Sequence, residues 1–448
     1  MSHQNLTLLV AQQRERSSLR TDFSWTFLGN AVYTGSQLVT VVLLAKLTSP
    51  QLVGQYALGI AIAIPLITLA SLQLRLALVS DIHERTPFGH YLSLRLLTTG
   101  LALLVIFATT QILGYGWQLC TVVVMVGVAQ AIEAISDVFY GWLQLHDRLD
   151  TISKSMIARS VLSTLGLPVG VYLTGNLLWG IAGIVVARGI VLFGYDIRRA
   201  RDLTKQFEGL SRNDALKPRW NSKVQRQLIW FNSPLGIATV LVSLNFTIPR
   251  YFVEHALGER ALGIFSAISC ILAAGSMAAV SLGQSAFSRL TKAYGTGNLV
   301  QFRSLIAKLL TLGAAMGVCG LLVAKVAGRE VLLILFGPEY AERADLLPWM
   351  MAVGCVVYVS QFLGYGMTAA GCYRPQVVLF ALTNLTVAAH CYLLIPRLGL
   401  LGAILAMLIA TILQFVGSII ILLRNMRKHV PVRSETVEAS PTDVFVRA

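Results

Sequence analysis

Residues Leu398–Leu423 read LGLLGAILAMLIATILQFVGSIIILL, without one charged side chain, and end at Arg424. At about 1.5 Å rise per residue, a helix of this length exceeds the ~30 Å hydrocarbon core of a bilayer. The apolar residues do not alternate, as they would over the ~10 residues of a membrane barrel strand. They also leave no polar face, as a helix on the surface of a soluble protein would. In hydrocarbon every backbone N–H and C=O needs an internal partner, so this stretch is a membrane-spanning helix.

The same pattern recurs on both sides of a central polar stretch. The first six spans are predicted at Phe23–Ala45, Leu52–Leu74, Tyr91–Leu113, Leu119–Leu145, Ser155–Thr174 and Leu177–Tyr195. The second six are predicted at Leu228–Pro249, Ala261–Phe287, Leu305–Ala324, Leu346–Ala370, Gln376–Ile395 and Leu398–Leu423. The 448 residues are 55% apolar and only 13% charged, against about 25% charged in a soluble domain. The fold class is therefore all-α integral membrane, with about 12 transmembrane helices. The expected organisation is an N-terminal arm (1–22), a first six-helix block (23–195), a basic linker (196–227), a second six-helix block (228–423) and a disordered tail (424–448).

Lysine and arginine orient the chain. With the N-terminus inside, inner segments and nearby span ends hold 28 of the 36 basic residues, outer ones hold 7, and Arg188 falls within a span. That asymmetry is a positive-inside signal and places both termini in the cytoplasm. It accounts for most of the net charge of +15, which also attracts anionic lipid headgroups. Nucleic acid is not needed to explain it. The first twenty residues, MSHQNLTLLVAQQRERSSLR, lack the basic start and apolar core of a cleaved signal, so insertion is expected to start at span 1. The six cysteines form no CxxC pair and the seven histidines no HxxxH or HExxH spacing, so no metal or other cofactor is indicated.

The two blocks resemble each other. SPQLVGQYALGIAI (Ser49–Ile62) parallels HALGERALGIFSAI (His255–Ile268), with Gly54-Gln-Tyr56 over Gly263-Ile-Phe265 at an offset of 209. HYLSLR, ending at Arg95, sits over NLVQFR, ending at Arg303, at an offset of 208. A duplicated helical unit is a common plan for secondary transporters, with the substrate site between the repeats.

Five stretches carry a family resemblance: LLAKLTSPQLVGQYALG, SLQLRLALVSDIHERTPFGHYLSLR, GWLQLHDRLDTISKSMIARS, LGQSAFSRLTKAYGTGNLVQF and FGPEYAERADLLPWM. In this order and placement they are similar to the Wzx-type polysaccharide flippase branch of the multidrug/oligosaccharidyl-lipid/polysaccharide (MOP) superfamily. The resemblance implies two pseudo-symmetric six-helix lobes in a V around a central cavity lined by spans 1, 2, 7 and 8. It implies a substrate of undecaprenyl-pyrophosphate carrying a sugar repeat unit, for O-antigen or exopolysaccharide assembly at the bacterial inner membrane. Polymerase and chain-length regulator are possible partners on the same ground.

Moving such a substrate needs a polar, cationic passage. Arg75, Arg95, Arg159, Arg289, Lys46 and Arg250 lie near span ends, and the planar guanidinium suits pyrophosphate oxygens. The alternative is that each snorkels to headgroups and sets topology. Arg75 and Arg289 are favoured because the family fold puts spans 2 and 8 on the cavity. Asn30, Tyr33 and Gln37 recur at helical spacing in span 1, with Thr34 beside them. Ser243 and Asn245 in span 7, and Ser276, Ser281 and Gln284 in span 8, add groups that suit sugar hydroxyls. Helix–helix adhesion is their other reading.

Glu133 and Asp137 share one face of span 4, and Arg188 in span 6 is level enough with Glu133 to pair. They either exchange an ion that couples transport or form a structural ion pair. Pro65 in span 2 and Gly275 in span 8 are expected hinges at matched places, and Pro168 and Pro234 interrupt spans 5 and 7. A multidrug exporter of the same superfamily is the rival reading. Against it, span 1 lacks a carboxylate. A peptidoglycan-precursor flippase fits less well, since such chains are longer. A polytopic membrane enzyme is the rival of another class. Against it, the first outer loop (Lys46–Val53) has no acid to bind a metal or act as base.

Overall fold

The computed structural model describes residues 25, 27–81, 86–207 and 216–428. The arm 1–22 and residues 429–448 of the tail lie outside the described residues. Among those described there is no strand. Helix α1 is Phe27–Leu47. It is followed by α2 (Pro50–Ser71), α3 (Leu74–Ser80), α4 (Phe88–Ile112), α5 (Trp117–Leu145), α6 (Leu149–Thr174), α7 (Leu177–Val191) and α8 (Ile197–Phe207). After the linker come α9 (Ser222–Gly295), α10 (Leu299–Leu335), α11 (Pro338–Ala341), α12 (Leu346–Ala369), α13 (Tyr373–Leu398) and α14 (Leu400–Lys428).

Eleven stretches among the described residues are long and apolar enough to cross a membrane. The longest, α9, contains one residue with non-helical backbone, Gly258, at φ 82° and ψ 177°. A side chain at that φ would be strained, so glycine is what allows α9 to break there. Each part, at about 1.5 Å per residue, still exceeds ~50 Å. The break turns α9 into two passes and brings the total to twelve. The two faces of the bundle are named here after the turns they carry: the Gly258 face and the Asp147 face.

Several boundaries differ from those read in the sequence. Span 2 ends at Ser71, because Leu72 and Gln73 adopt left-handed backbone (φ 46° and 50°) before α3 starts again. Arg75 therefore belongs to α3 rather than to the end of span 2. Span 6 does not stop at Tyr195. It runs through a π-helical turn, Leu192–Asp196, into α8. The first part of the expected linker is thus helix, with Ala200 and Leu203 buried and Arg198, Arg199 and Arg201 exposed. Residues 208–215 lie outside the described residues.

Where the linker is described again, it lies against the start of α4. Arg219 N–H donates to the Gly89 carbonyl at 2.9 Å, and Ser93 Oγ donates to the Arg219 carbonyl at 2.7 Å. Gln225 Nε2 then donates to Ser93 Oγ at 3.0 Å. Asn221 caps α9 by accepting from Lys223 N–H, a common helix-start device.

Small residues set the closest helix approaches. Gly166 of α6 and Gly183 of α7 leave no room for a Cβ against each other's backbone, and Gly170 is similarly placed against Trp179. This is the small-residue packing that membrane helices use, because lipid supplies no hydrophobic drive between them. Between residues 27–207 and residues 222–428, contact runs mainly through α2 against α9. Gly54 of α2 backs onto the Glu259 carbonyl, and Gly263 of α9 backs onto the Pro50 carbonyl. Gln51 and Gln55 donate to the Glu259 carboxylate at 3.1 and 2.9 Å. Deeper in, Tyr251 O–H donates to the Ala61 carbonyl at 2.6 Å. The α4–α5 turn joins this side through Tyr115, whose O–H donates to Glu254 at 2.8 Å. Burial, then that bond, push the Tyr115 phenol above its ordinary range.

Candidate functional site

Helix α1 borders two cavities. The first, of about 280 Å³, is charged and is bounded by Tyr33, Arg75, Glu133, Asp137, Tyr140 and Arg159 among others. Glu133 on α5 pairs with Arg188 at 2.8 Å and with Arg159 at 3.3 Å. It also accepts from Tyr33 O–H at 2.6 Å. The Arg159 guanidinium lies 5.5 Å from the ring centres of both Tyr33 and Tyr140, close enough for cation–π attraction. Arg188 also donates to the Ala129 carbonyl at 2.8 Å. One turn along α5, Asp137 pairs with Arg75 at 3.2 Å and Arg95 at 3.5 Å. Arg75 donates twice more, from Nε and Nη2, to Gln144 Oε1.

Sequence spacing put Glu133 and Asp137 on one helix face and Glu133 level with Arg188, and both hold. Arg159 as a second partner of Glu133 was not anticipated, nor was the pairing of Asp137 with two arginines. Neither was Asp196. It heads the polar run, so it read as the start of the linker, yet it is fully buried in the π-helical turn. Ser155 uses its hydrogen on Asp196, so Tyr140 must donate to Ser155 Oγ, 2.7 Å away. A polar residue directly abutting an apolar run was the only available signal for it.

The second cavity is larger, about 340 Å³, and mostly uncharged. Asn30 and Thr34 line it from α1, Arg250, Ser269, Ser276 and Gln284 from the two passes of α9, and Gln361 from α12. Arg250 Nε, Ser269 Oγ, Ser276 Oγ and Gln361 Oε1 are buried there without a hydrogen-bond partner among the described residues. No described carboxylate lies within ion-pair distance of Arg250, whereas Arg75, Arg95, Arg159 and Arg188 each have one. Taking a guanidinium out of water without a counter-charge is costly. An anion entering this cavity would meet a guanidinium without a counter-charge.

The remaining expected residues divide. Asn30, Gln284 and Arg250 meet in the larger cavity; Tyr33, Arg75 and Arg159 meet in the charged one. Arg95 is fully buried behind Asp137. Asn245 donates to Gln414 of α14 at 3.1 Å and lines neither cavity. Gln37 and Arg289 also line neither, and Arg289 is exposed. Pro65 is buried within α2, and the chain leaves helical geometry further on, at Leu72–Gln73. Gly275 makes room for the Tyr358 ring, which is a packing role.

Residues 19–293 match the family model described as "Polysaccharide biosynthesis protein". The chain is 26% identical over 401 residues to the capsular polysaccharide biosynthesis protein CapF of Staphylococcus aureus, covering 89% of this chain and 97% of that one. Among solved structures, the lipid II flippase MurJ in an inward closed conformation superposes with a TM-score of 0.72 at 11% identity, covering 91% and 89% of the two chains. A multidrug-resistance MATE transporter of the MOP superfamily, inward-facing, gives 0.70 at 13% identity over 89% and 94%. Such structural likeness is one of fold.

Proposed function

The chain belongs to the polysaccharide biosynthesis protein family and has the fold of MOP-superfamily transporters, and from that premise we propose that it flips lipid-linked oligosaccharides across the bacterial inner membrane. The substrate is undecaprenyl-pyrophosphate bearing a sugar repeat unit, moved from the cytoplasmic to the periplasmic leaflet for surface polysaccharide assembly. The Asp147 face is cytoplasmic on this reading, as the lysine and arginine distribution requires. Blocks 23–195 and 228–423 act as two lobes that expose the cavity to one side at a time. The protein is a transporter and performs no bond chemistry on the glycan.

The observation that carries the proposal is the larger cavity. Its hydroxyl and amide groups can both donate to and accept from sugar hydroxyls, and its single cation is unneutralised. A cation exporter would need the opposite charge there. The charged cavity beside it offers Arg75 and Arg159 at the level where a lipid-anchored pyrophosphate enters from the cytoplasmic leaflet. It is also where coupling to an ion gradient would act, through Glu133 or Asp137.

The test is a deletion strain analysed for lipid-linked glycans. The expected result is accumulation of undecaprenyl-pyrophosphate repeat units on the cytoplasmic side with loss of surface polysaccharide. Normal polysaccharide together with lost drug resistance would establish the exporter instead.

A further inference from the structure

Two classes of arginine stand near α1. Four are ion-paired, two to Glu133 and two to Asp137, and one, Arg250, has no carboxylate partner among the described residues. The position of Arg250 tells which part of a lipid-linked saccharide it meets. It lies on the first pass of α9, about 12 Å short of the Gly258 break at 1.5 Å per residue. Phe265 and Ser269 on the second pass line the same end of the cavity. Gln284 stands about 22 Å further along that pass, toward the Asp147 face, opposite Asn30 of α1.

The Arg250 end is blind. Beyond it, α2 and α9 close on each other at Gly54 and Gly263, and Gln51 and Gln55 tie to Glu259. At the other end Asn30, Ser281 and Gln284 are exposed, whereas Phe265 and Ser269 at the Arg250 end are buried. The cavity therefore opens between α1 and the end of α9. A pyrophosphate is tethered to a tail that stays in lipid, so it remains near that mouth. What reaches the blind end is the saccharide.

Resting on the flippase reading above, we infer that Arg250 binds an acidic group of the glycan itself, so that the translocated repeat unit is an anionic saccharide. A guanidinium at the blind end matches a sugar carboxylate or a phosphate substituent in the same two-pronged geometry. Ser269, Ser276 and Gln361 supply the neighbouring hydrogen-bonding groups. A neutral glycan would leave Arg250 desolvated and unpaired in the loaded state, where each buried unmet charge weakens binding.

The experiment isolates the lipid-linked saccharide that accumulates in a deletion strain and releases the glycan by mild acid, which removes the pyrophosphate. Mass and composition then show whether the freed glycan is charged, and whether uronic acid or phosphate is the source. An anionic glycan is the expected result; a neutral one overturns the inference while leaving the flippase reading intact. No accumulated lipid-linked saccharide overturns both. A second arm measures binding of the purified intermediate and of bare undecaprenyl-pyrophosphate to nanodisc-held wild type, Arg250→Gln and Arg250→Lys. Arg250→Gln should weaken the intermediate roughly tenfold or more and the bare lipid little, with Arg250→Lys recovering part of the loss. Equal loss for both ligands would assign Arg250 to the pyrophosphate and overturn the proposal.

Discussion

Gly54 and Gly263 occupy each other's contact surface reciprocally. Gly54 faces the carbonyl of Glu259, four residues before Gly263, and Gly263 faces the carbonyl of Pro50, four residues before Gly54. These are the two glycines that the internal repeat aligns at an offset of 209. A contact in which residue i meets j−4 and j meets i−4 is what a two-fold relation between like helices produces. The repeat therefore pairs with itself at the crossing of α2 and α9.

A side chain at either glycine forces the two backbones apart, since the obstacle is carbonyl rather than a movable side chain. If this crossing closes the Gly258 face, Gly54→Leu should open a route to the blind end of the cavity. A cysteine at Ser269 should then react several-fold faster with a membrane-impermeant thiol reagent applied from the periplasm. An unchanged rate in folded protein would show that closure lies elsewhere.

Glu133 is shared between Arg159 and Arg188, both nearly inaccessible, with side-chain exposures of 5% and 7%. Glu133→Gln leaves two buried guanidiniums sharing one neutral amide. Removing one partner of a buried pair costs about 3–5 kcal/mol. The expected outcome is a lower unfolding temperature and less folded protein in the membrane. Wild-type abundance with failed transport would instead make Glu133 the coupling carboxylate.

The fold class was legible because hydrocarbon leaves a backbone little choice but helix, so the length and number of the apolar runs sufficed. Pairing of charges within the first block was half legible. Helical spacing placed Glu133 against Arg188, but nothing local could say that α6 would bring Arg159 to the same carboxylate. Arg289 and Asn245 show the limit of such reading. One turn decides whether a polar residue faces the cavity or not. Arg289 ends up exposed, while Asn245 turns to Gln414 of α14. Asp196 was missed because composition marks where polarity begins, not whether the helix continues through it.

Arginine truncations should separate by location. Arg75 borders the charged cavity and holds Asp137 and Gln144, while Arg289 and Arg397 are exposed and line neither cavity. At equal protein level, Arg75→Ala should reduce polysaccharide export at least several-fold, and Arg397→Ala should not. Sequence reasoning grouped Arg289 with Arg75, whereas its exposure predicts that Arg289→Ala behaves like Arg397→Ala. Equal export in all three variants would remove Arg75 from the transport path.

The linker after residue 215 is held on α4 rather than left loose, and Gly89 is what permits it. A Cβ there would meet the Lys217 carbonyl and the Arg219 side chain. The attachment consists of Arg219 N–H on Gly89 and the Arg219 carbonyl on Ser93, with Gln225 at the start of α9 bonded to the same serine. The start of α9 is therefore tied to α4, and the two halves are joined at this face through a few residues of main chain. Gly89→Leu should detach the segment without touching either cavity. Arg219, which precedes Trp220, then becomes cleavable, whereas Lys217 precedes Pro218 and resists trypsin, so trypsin added to inside-out vesicles should cut after Arg219 faster than in wild type. Ser93→Ala removes the side-chain bonds but leaves the main-chain one, and should give an intermediate rate. Identical cleavage in all three would mean that the linker leaves α4 readily and couples nothing.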